Sequence, residues 1–342
     1  MAATDLFTAA REGTLTLVRA EELGREALIV RNASGNTPLH LAAKYGHLDQ
    51  VPQALLDAGT LGLRNDAGYT PVHLAARSGR LNQLPPDLLT RDLLLARSNS
   101  GFTPLHLAAG AGILDQLPPG FLNLETVLLK TDHGNTLLHE AAEQGTLASF
   151  PPSFLTRDTL LQQNISGETV LHVAALNGHL PQVPSEFLTT ELLLSRTASH
   201  DTVLHAAAIA GHLDQVPAAA FTHDTLLAAS KSGYTVIHAA AEAGHLHQIP
   251  PAAFSIDLLL ARNDFGDTPL HAAAVEGHLN QIPREFLNRT TLLIRNYNGG
   301  TPIGAAIRHG HVDQLPEDFR PRPPNALQRL LYKVGLARPP HT

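Results

Sequence analysis

Residues 266–283 read GDTPLHAAAVEGHLNQIP, and much of the chain repeats this stretch with variations. Residues 233–250 read GYTVIHAAAEAGHLHQIP and residues 299–316 read GGTPIGAAIRHGHVDQLP, so each copy begins 33 residues after the previous one. Nine such copies follow one another without an insertion. A constant period predicts a stack of similar structural units, each of which buries its apolar face against its neighbours.

Four slots of the repeat hold nearly the same residue throughout. A threonine such as Thr37, an alanine such as Ala42 and a glycine such as Gly46 recur in all nine copies. A histidine three positions after the threonine recurs in eight copies, and Gly304 replaces it in the ninth. We call these eight the repeat histidines: His40, His73, His106, His139, His172, His205, His238 and His271.

These slots predict one helix in every copy. The threonine hydroxyl can accept a hydrogen bond from the first helical turn, and the proline that often follows it lacks an N–H that would have no partner there. The leucine and alanines that come next lie on one face of a helix. The glycine is the residue that ends a helix in a left-handed conformation.

The TPLH, AA and GH elements at this period resemble the ankyrin repeat over about residues 4–319. The resemblance implies an all-α solenoid of helix–turn–helix units with short β-turn fingers between them. It also implies a concave face that binds other proteins. For the repeat histidines it implies a structural role, in which each ring hydrogen-bonds the backbone and ties one repeat to the next.

A recurrent proline departs from this family pattern, because the second helix of an ankyrin repeat is usually unbroken. The nine prolines are Pro52, Pro85, Pro118, Pro151, Pro184, Pro217, Pro250, Pro283 and Pro316. Proline inside a helix destabilises it by about 3 kcal/mol, so we expect the outer helix to restart at each one. A second start follows at threonines such as Thr90 and Thr156, each with an acid two residues later. We therefore predict two short helical turns in place of one outer helix.

We predict three parts in the chain. Residues 1–31 form an N-terminal capping repeat, in which Phe7 stands in the histidine slot and Arg19 in the proline slot. Residues 32–319 hold the nine ankyrin-like repeats. Residues 320–342 form a proline-rich linker and a short basic helix, ALQRLLYKVG. This helix is expected to cover the end of the stack, with an amphipathic binding segment and a disordered tail as the alternatives.

Two repeats are irregular. His200 occupies the fingertip slot that holds glycine in the other copies, so we expect a reshaped turn there. Gly304 removes the histidine from the last repeat, where there is no further repeat to tie. In the outer layer, Phe154 and Phe187 share one slot, and we expect aromatic residues in this slot to anchor the core.

Two features of the sequence bear on the location of the protein in the cell. The first residues show no signal-peptide pattern, and no segment reaches the roughly 20 apolar residues of a membrane span. We therefore expect a cytoplasmic, monomeric protein, with a secreted effector as the alternative.

The sequence offers no catalytic constellation. The chain has 20 histidines and no cysteine, and close pairs such as His245 and His247 supply fewer ligands than zinc requires. The run HEAAE at residues 139–143 lacks the second histidine of a metalloprotease helix. We expect no metal, no cofactor and no enzymatic activity. The net charge of −7 without a basic stripe argues against nucleic-acid binding.

The variable slots are the candidate binding residues. By resemblance, the position after the fingertip glycine and the end of the first helix line the concave surface. Tyrosine is enriched in binding hot spots, and aromatic and charged residues at or near these slots form two groups. The first group is Tyr45, Tyr69, Arg77 and Phe102, and the second is Tyr234, Glu242, Phe265, Glu276 and Tyr297.

Three functions remain open from the sequence. The favoured one is a non-enzymatic scaffold that binds another protein on its concave and fingertip face. The second is an adaptor that its basic C-terminal tail directs to a target. The third, and least favoured, is a histidine-based metal or pH sensor.

Overall fold

The computed structural model describes residues 5–320. The helix predicted within residues 320–342 and the threonine slot at Thr4 lie outside these described residues. The chain divides into two compact units, Met1–Ala198 and Ser199–Thr342.

The first unit alternates long and short α-helices. In the order of the chain they are α1 (Leu6–Glu12), α2 (Arg25–Leu28), α3 (Pro38–Tyr45), α4 (Ala58–Leu61), α5 (Pro71–Arg77), α6 (Arg91–Leu94), α7 (Pro104–Ala111), α8 (Leu124–Val127), α9 (Leu137–Gln144), α10 (Arg157–Leu160), α11 (Val170–Leu176) and α12 (Thr190–Leu193).

The second unit continues the same alternation. Its helices are α13 (Val203–Ala210), α14 (His223–Leu226), α15 (Val236–Ala243), α16 (Ile256–Leu260), α17 (Pro269–Glu276), α18 (Arg289–Leu292) and α19 (Pro302–His309). Odd-numbered helices are the long helices of the repeats and even-numbered helices are the short ones.

The long helices begin and end as their sequences predict. At α5, the Thr70 hydroxyl accepts a hydrogen bond from the backbone N–H of His73 at 3.3 Å, and Pro71 occupies the first helical position. At the end of α3, Gly46 has φ 80°, and its N–H donates to the carbonyl of Ala42. A residue with a Cβ would be strained in this left-handed conformation, which explains the glycine.

The outer layer consists of 3₁₀ turns and the short helices. One set of turns precedes the recurrent prolines: Leu15–Leu17, Leu48–Gln50, Leu81–Gln83, Leu114–Gln116, Leu147–Ser149, Leu180–Gln182, Leu213–Gln215, Leu246–Gln248, Leu279–Gln281 and Val312–Gln314, the first of them before Arg19 in the proline slot. A second set follows the prolines: Gln53–Leu55, Pro86–Leu88, Pro152–Phe154, Ser185–Phe187, Ala218–Ala220, Pro251–Ala253, Arg284–Phe286 and Glu317–Phe319.

The prediction that proline breaks the outer helix is confirmed. A 3₁₀ turn starts at nearly every proline and the short α-helix starts a few residues later. The structure adds a further turn before the proline, which the sequence analysis did not anticipate. Val51 precedes Pro52 and is extended (φ −85°, ψ 128°), the conformation that a following proline favours, although Val18 before Arg19 is extended as well (φ −78°, ψ 138°). The segment closes two consecutive i→i−3 hydrogen bonds, from Gln50 N–H to the His47 carbonyl at 3.2 Å and from Val51 N–H to the Leu48 carbonyl at 3.1 Å.

The fingers are tight turns that hydrogen-bond to their neighbours. Within one finger, Asn65 N–H donates to the Tyr69 carbonyl at 2.8 Å. Between fingers, Asn99 N–H donates to the Ala67 carbonyl at 3.0 Å. Residues 5–320 contain no strand, only isolated bridges such as that between Gln163 and Thr169. The predicted all-α class is therefore confirmed.

The core lies where consecutive long helices pack. Within the first unit each long helix packs on the next, from α1 to α11, and the same holds from α13 to α19 in the second unit. Leu39, Ala42 and Ala43 are fully buried, as are their equivalents in most repeats. The small alanines allow the helix axes to approach closely, while the leucines fill the remaining space.

Two expectations about single slots were wrong. His200 keeps the left-handed conformation of the fingertip glycines, with φ 66°, so the backbone of its turn is not reshaped there. Histidine is among the residues that tolerate this region better than most. In the outer layer, Phe154 and Phe187 are only half-buried, whereas the neighbouring Leu155 is 6% exposed. In the repeat of Phe154 the leucine is thus the more deeply buried side chain, whereas Phe187 and Leu188 are both of intermediate burial.

Candidate functional site

The repeat histidines connect one repeat to the next. His73 Nδ1 accepts a hydrogen bond from the Thr70 backbone N–H at 3.1 Å and lies 2.8 Å from the Thr70 hydroxyl. Because Nδ1 accepts, the ring proton is on Nε2, which donates to the Phe102 carbonyl at 3.1 Å. His238 makes the equivalent contact, with Nε2 reaching Asp267 O at 3.0 Å, whereas His106 Nε2 reaches Leu129 O at 3.0 Å, which lies 23 and not 29 residues further along the chain.

Burial lowers the pKa of six of the repeat histidines, which are therefore neutral at physiological pH. Burial lowers the pKa of five of them to about 4: His40, His73, His106, His139 and His238. Burial also lowers the pKa of His271. A charged imidazolium would lose its hydration here, and its Nδ1 could no longer accept the threonine N–H. Their geometry suits a fixed structural tie.

Glutamine provides a second tie that the sequence analysis missed. Gln83 Nε2 donates to the Gly46 carbonyl at 2.6 Å, and its Oε1 accepts from the Leu48 N–H at 3.2 Å. Gln248 does the same with Gly211 and with a backbone N–H of the preceding repeat. The signal was present in the sequence, because glutamine recurs two positions before the proline in all but one of the nine repeats.

The first unit contains a groove of about 350 Å³, which we call the N-terminal groove. Its lining comprises Tyr69, Arg77, Phe102, His106, Leu107, Gly110, Ala111, Glu140, Glu143 and Gln144. Three residues of the first predicted group therefore meet in one place: Tyr69 and Phe102 from neighbouring fingers and Arg77 from the end of α5. Each aromatic ring contacts a repeat histidine, with centroids 5.4 Å apart for Tyr69–His73 and 6.1 Å for Phe102–His106.

Glu140 is the residue of this groove that sequence reasoning overlooked. It is 8% exposed, and its Oε1 accepts a hydrogen bond from Asn135 Nδ2 at 3.1 Å. Burial raises its pKa to about 7, and the nearby Glu143 carboxylate adds to the effect. The sequence signal for its burial was its slot, because the two preceding repeats place leucine there, at Leu74 and Leu107.

The second unit contains a similar groove, also of about 350 Å³, which we call the C-terminal groove. Tyr234, Glu242 and Glu276 of the second predicted group line it, together with Arg308. The Tyr234 hydroxyl donates a hydrogen bond to the Glu242 carboxylate. Burial and the neighbouring Glu276 raise the pKa of Glu242. This groove is thus edged by acidic side chains and one aromatic ring.

Three candidate residues lie outside both grooves. Tyr45 is 45% exposed, with Lys44 Nζ lying 5.4 Å from its ring centroid. Phe265 and Tyr297 are 62% and 70% exposed on adjacent fingers, where Tyr297 N–H donates to the Phe265 carbonyl at 3.1 Å. The Arg262 guanidinium lies 5.9 Å from the Tyr297 ring centroid. The predicted second group is therefore split between a groove and a fingertip pair.

Residues 5–320 lack two other features. In that part of the chain, no group of three or more histidine or acidic side chains is placed to hold a metal ion. No helix there is long and apolar enough to cross a membrane.

The comparisons with known proteins agree with the geometry. Residues 6–84 match the family model for ankyrin repeats, with 3 copies of the repeat in that range. No curated protein matches the chain. The helix order, the capping threonines and the histidine ties of residues 6–84 continue through the later repeats in the same 33-residue register. Ankyrin repeats are generally protein–protein interaction modules and typically not enzymes. Residues 6–84 therefore consist of ankyrin repeats, in a variant whose second helix is interrupted by proline.

Proposed function

We propose that the chain is a non-enzymatic scaffold that binds a protein partner through the fingers and long helices that line its grooves. The proposal includes the division into a capping repeat (residues 1–31), nine repeats (residues 32–319) and a C-terminal tail (residues 320–342). It also includes a monomeric chain in the cytoplasm. The repeat histidines serve the frame in this account.

The observation that carries the proposal is the contrast between the fixed frame and the N-terminal groove. The buried slots barely change from repeat to repeat, whereas Tyr69, Arg77 and Phe102 occupy slots whose residue types vary widely along the chain. Aromatic rings and arginine are the side chains most enriched in binding hot spots. A concave surface that holds both is a suitable site for the side chains of another protein.

Affinity capture from the source lysate tests this proposal. The bait is the intact chain, beside a Tyr69→Ala/Phe102→Ala double variant and a Leu17→Ala control, since Leu17 is 80% exposed and distant in sequence from both grooves. We expect a protein that the intact chain and the control retain equally and that the double variant loses. A Tyr234→Ala variant reports on the C-terminal groove in the same way. If every bait retains the same proteins, neither groove is the binding surface.

A further inference from the structure

The N-terminal groove owes its depth to two small residues. Arg77, Gly110 and Glu143 occupy the same slot in three successive repeats, so the middle repeat lacks a side chain where its neighbours carry charged ones. Ala111, next to Gly110, also lines the groove. The result is a gap with a cation on one side and a carboxylate on the other. Phe102 and Tyr69 border this gap from the fingers.

Glu140 is a buried carboxylate on the wall of this gap. Over residues 5–320, the structure gives it one hydrogen bond, from Asn135 to Oε1, no donor to Oε2 and no ion pair. Burying a carboxylate is unfavourable unless a cation or several donors compensate for the lost hydration. Oε2 is not among the fully buried atoms that lack a partner, so it is open to the groove, where the cationic group of a ligand can replace water.

We propose that the N-terminal groove binds a lysine or arginine side chain of a protein partner, with the cationic group paired to Glu140 and Glu143 and its stem against Phe102. This inference rests on the proposed function and specifies its chemistry. The aromatic rings favour a cation near their faces. An apolar side chain would remove water from the Glu140 carboxylate without replacing it by a donor, and an acidic side chain would be repelled. Arg77, across the gap, favours an acidic residue beside the basic one in the partner.

The raised pKa of Glu140 supports the proposal without carrying it. Burial makes the carboxylate hard to ionise in the free chain. A bound cation stabilises the ionised form, as expected for a site that is completed by its ligand. The other titratable or charged groups that line the groove are Arg77, His106 and Glu143, together with the phenol of Tyr69.

The test uses a phage-displayed library of random dodecapeptides, selected on the intact chain. We expect the enriched peptides to share a lysine or arginine. Each synthetic peptide is then titrated by fluorescence anisotropy against the intact chain, Glu140→Gln and a Glu186→Gln control, since Glu186 is exposed in the outer layer. A charge-assisted hydrogen bond in a buried site predicts that Glu140→Gln weakens binding about tenfold or more. The control variant binds as the intact chain does.

A second series changes the peptide and leaves the protein intact, so that it does not depend on the folding of a variant. Replacing the shared basic residue by norleucine is expected to weaken binding to the intact chain and to have little further effect on Glu140→Gln. Peptides that bind without a basic residue, remain insensitive to Glu140→Gln and lose binding in Phe102→Ala would overturn this inference while leaving the scaffold function in place. If the library yields no binder and lysate capture shows no groove-dependent partner, both are refuted.

Discussion

Replacing His73 with alanine removes one of the ties between two repeats, and the structure sets the size of the effect. The ring makes contacts with the Thr70 N–H, the Thr70 hydroxyl and the Phe102 carbonyl, all at 3.1 Å or less. A hydrogen bond of this kind contributes about 1 kcal/mol, and more when a buried partner is left unsatisfied. The three contacts together predict a loss of about 3 kcal/mol in the free energy of unfolding. The first turn of α5 also loses its capping box.

Urea unfolding followed by circular dichroism measures this effect. The matched control is His133→Ala, which removes an exposed histidine from a finger of the same unit. Because each repeat depends on its neighbours, amide exchange should increase most near Thr70 and Phe102. If the His73 variant unfolded at the same urea concentration as the control, the assignment of the repeat histidines as structural ties would be wrong.

Three further predictions concern pH and backbone conformation. The repeat histidines with a pKa lowered to about 4 resist protonation in the fold, so stability is expected to fall as pH drops from 6.5 towards 4; thermal melts across this range that show no decrease would contradict it. Glu140 has the opposite effect on the pH dependence of stability, because burial raises its pKa from 4.5 to about 7. The free energy of unfolding of the intact chain should therefore fall by up to about 3 kcal/mol relative to that of Glu140→Gln as pH rises through that window. Parallel profiles of stability against pH for the two proteins would refute this. Gly145→Ala should destabilise by about 1–2 kcal/mol through its left-handed φ of 72° alone. An added Cβ would also lie 2.6 Å from His179 Nε2, too close for two nonbonded atoms, so the imidazole would have to move. An unchanged melting temperature of the variant would contradict this packing.

The sequence could predict the frame because the frame repeats. A threonine, a histidine and a glycine in fixed register specify the start of a helix, the tie to the next repeat and the end of the helix, and each has a local physical cause. The proline slot likewise predicted the interruption of the outer helix. The extra 3₁₀ turn was missed because it forms before Arg19 as well as before Pro52, so neither the prolines nor a count of helix starts reveals it.

The candidate site was harder to predict because a groove depends on positions with small side chains as much as on positions with large ones. Gly110 and Ala111 carry no recognition chemistry, yet they open the space between Arg77 and Glu143. Glu140 stands in a slot that the preceding repeats fill with leucine, so its burial follows from the stack and not from its own residue type. Tyr45 was predicted as a site residue because it is an aromatic residue in a variable slot, but it is exposed and lies outside the N-terminal groove.

The most direct test of the scaffold account is hydrogen–deuterium exchange of the intact chain, alone and bound to the partner that lysate capture recovers. The account predicts that binding slows exchange in the fingers and long helices around the N-terminal groove, at residues 69–77, 102–111 and 137–144. Protection confined to the short helices and 3₁₀ turns of the outer layer would contradict it.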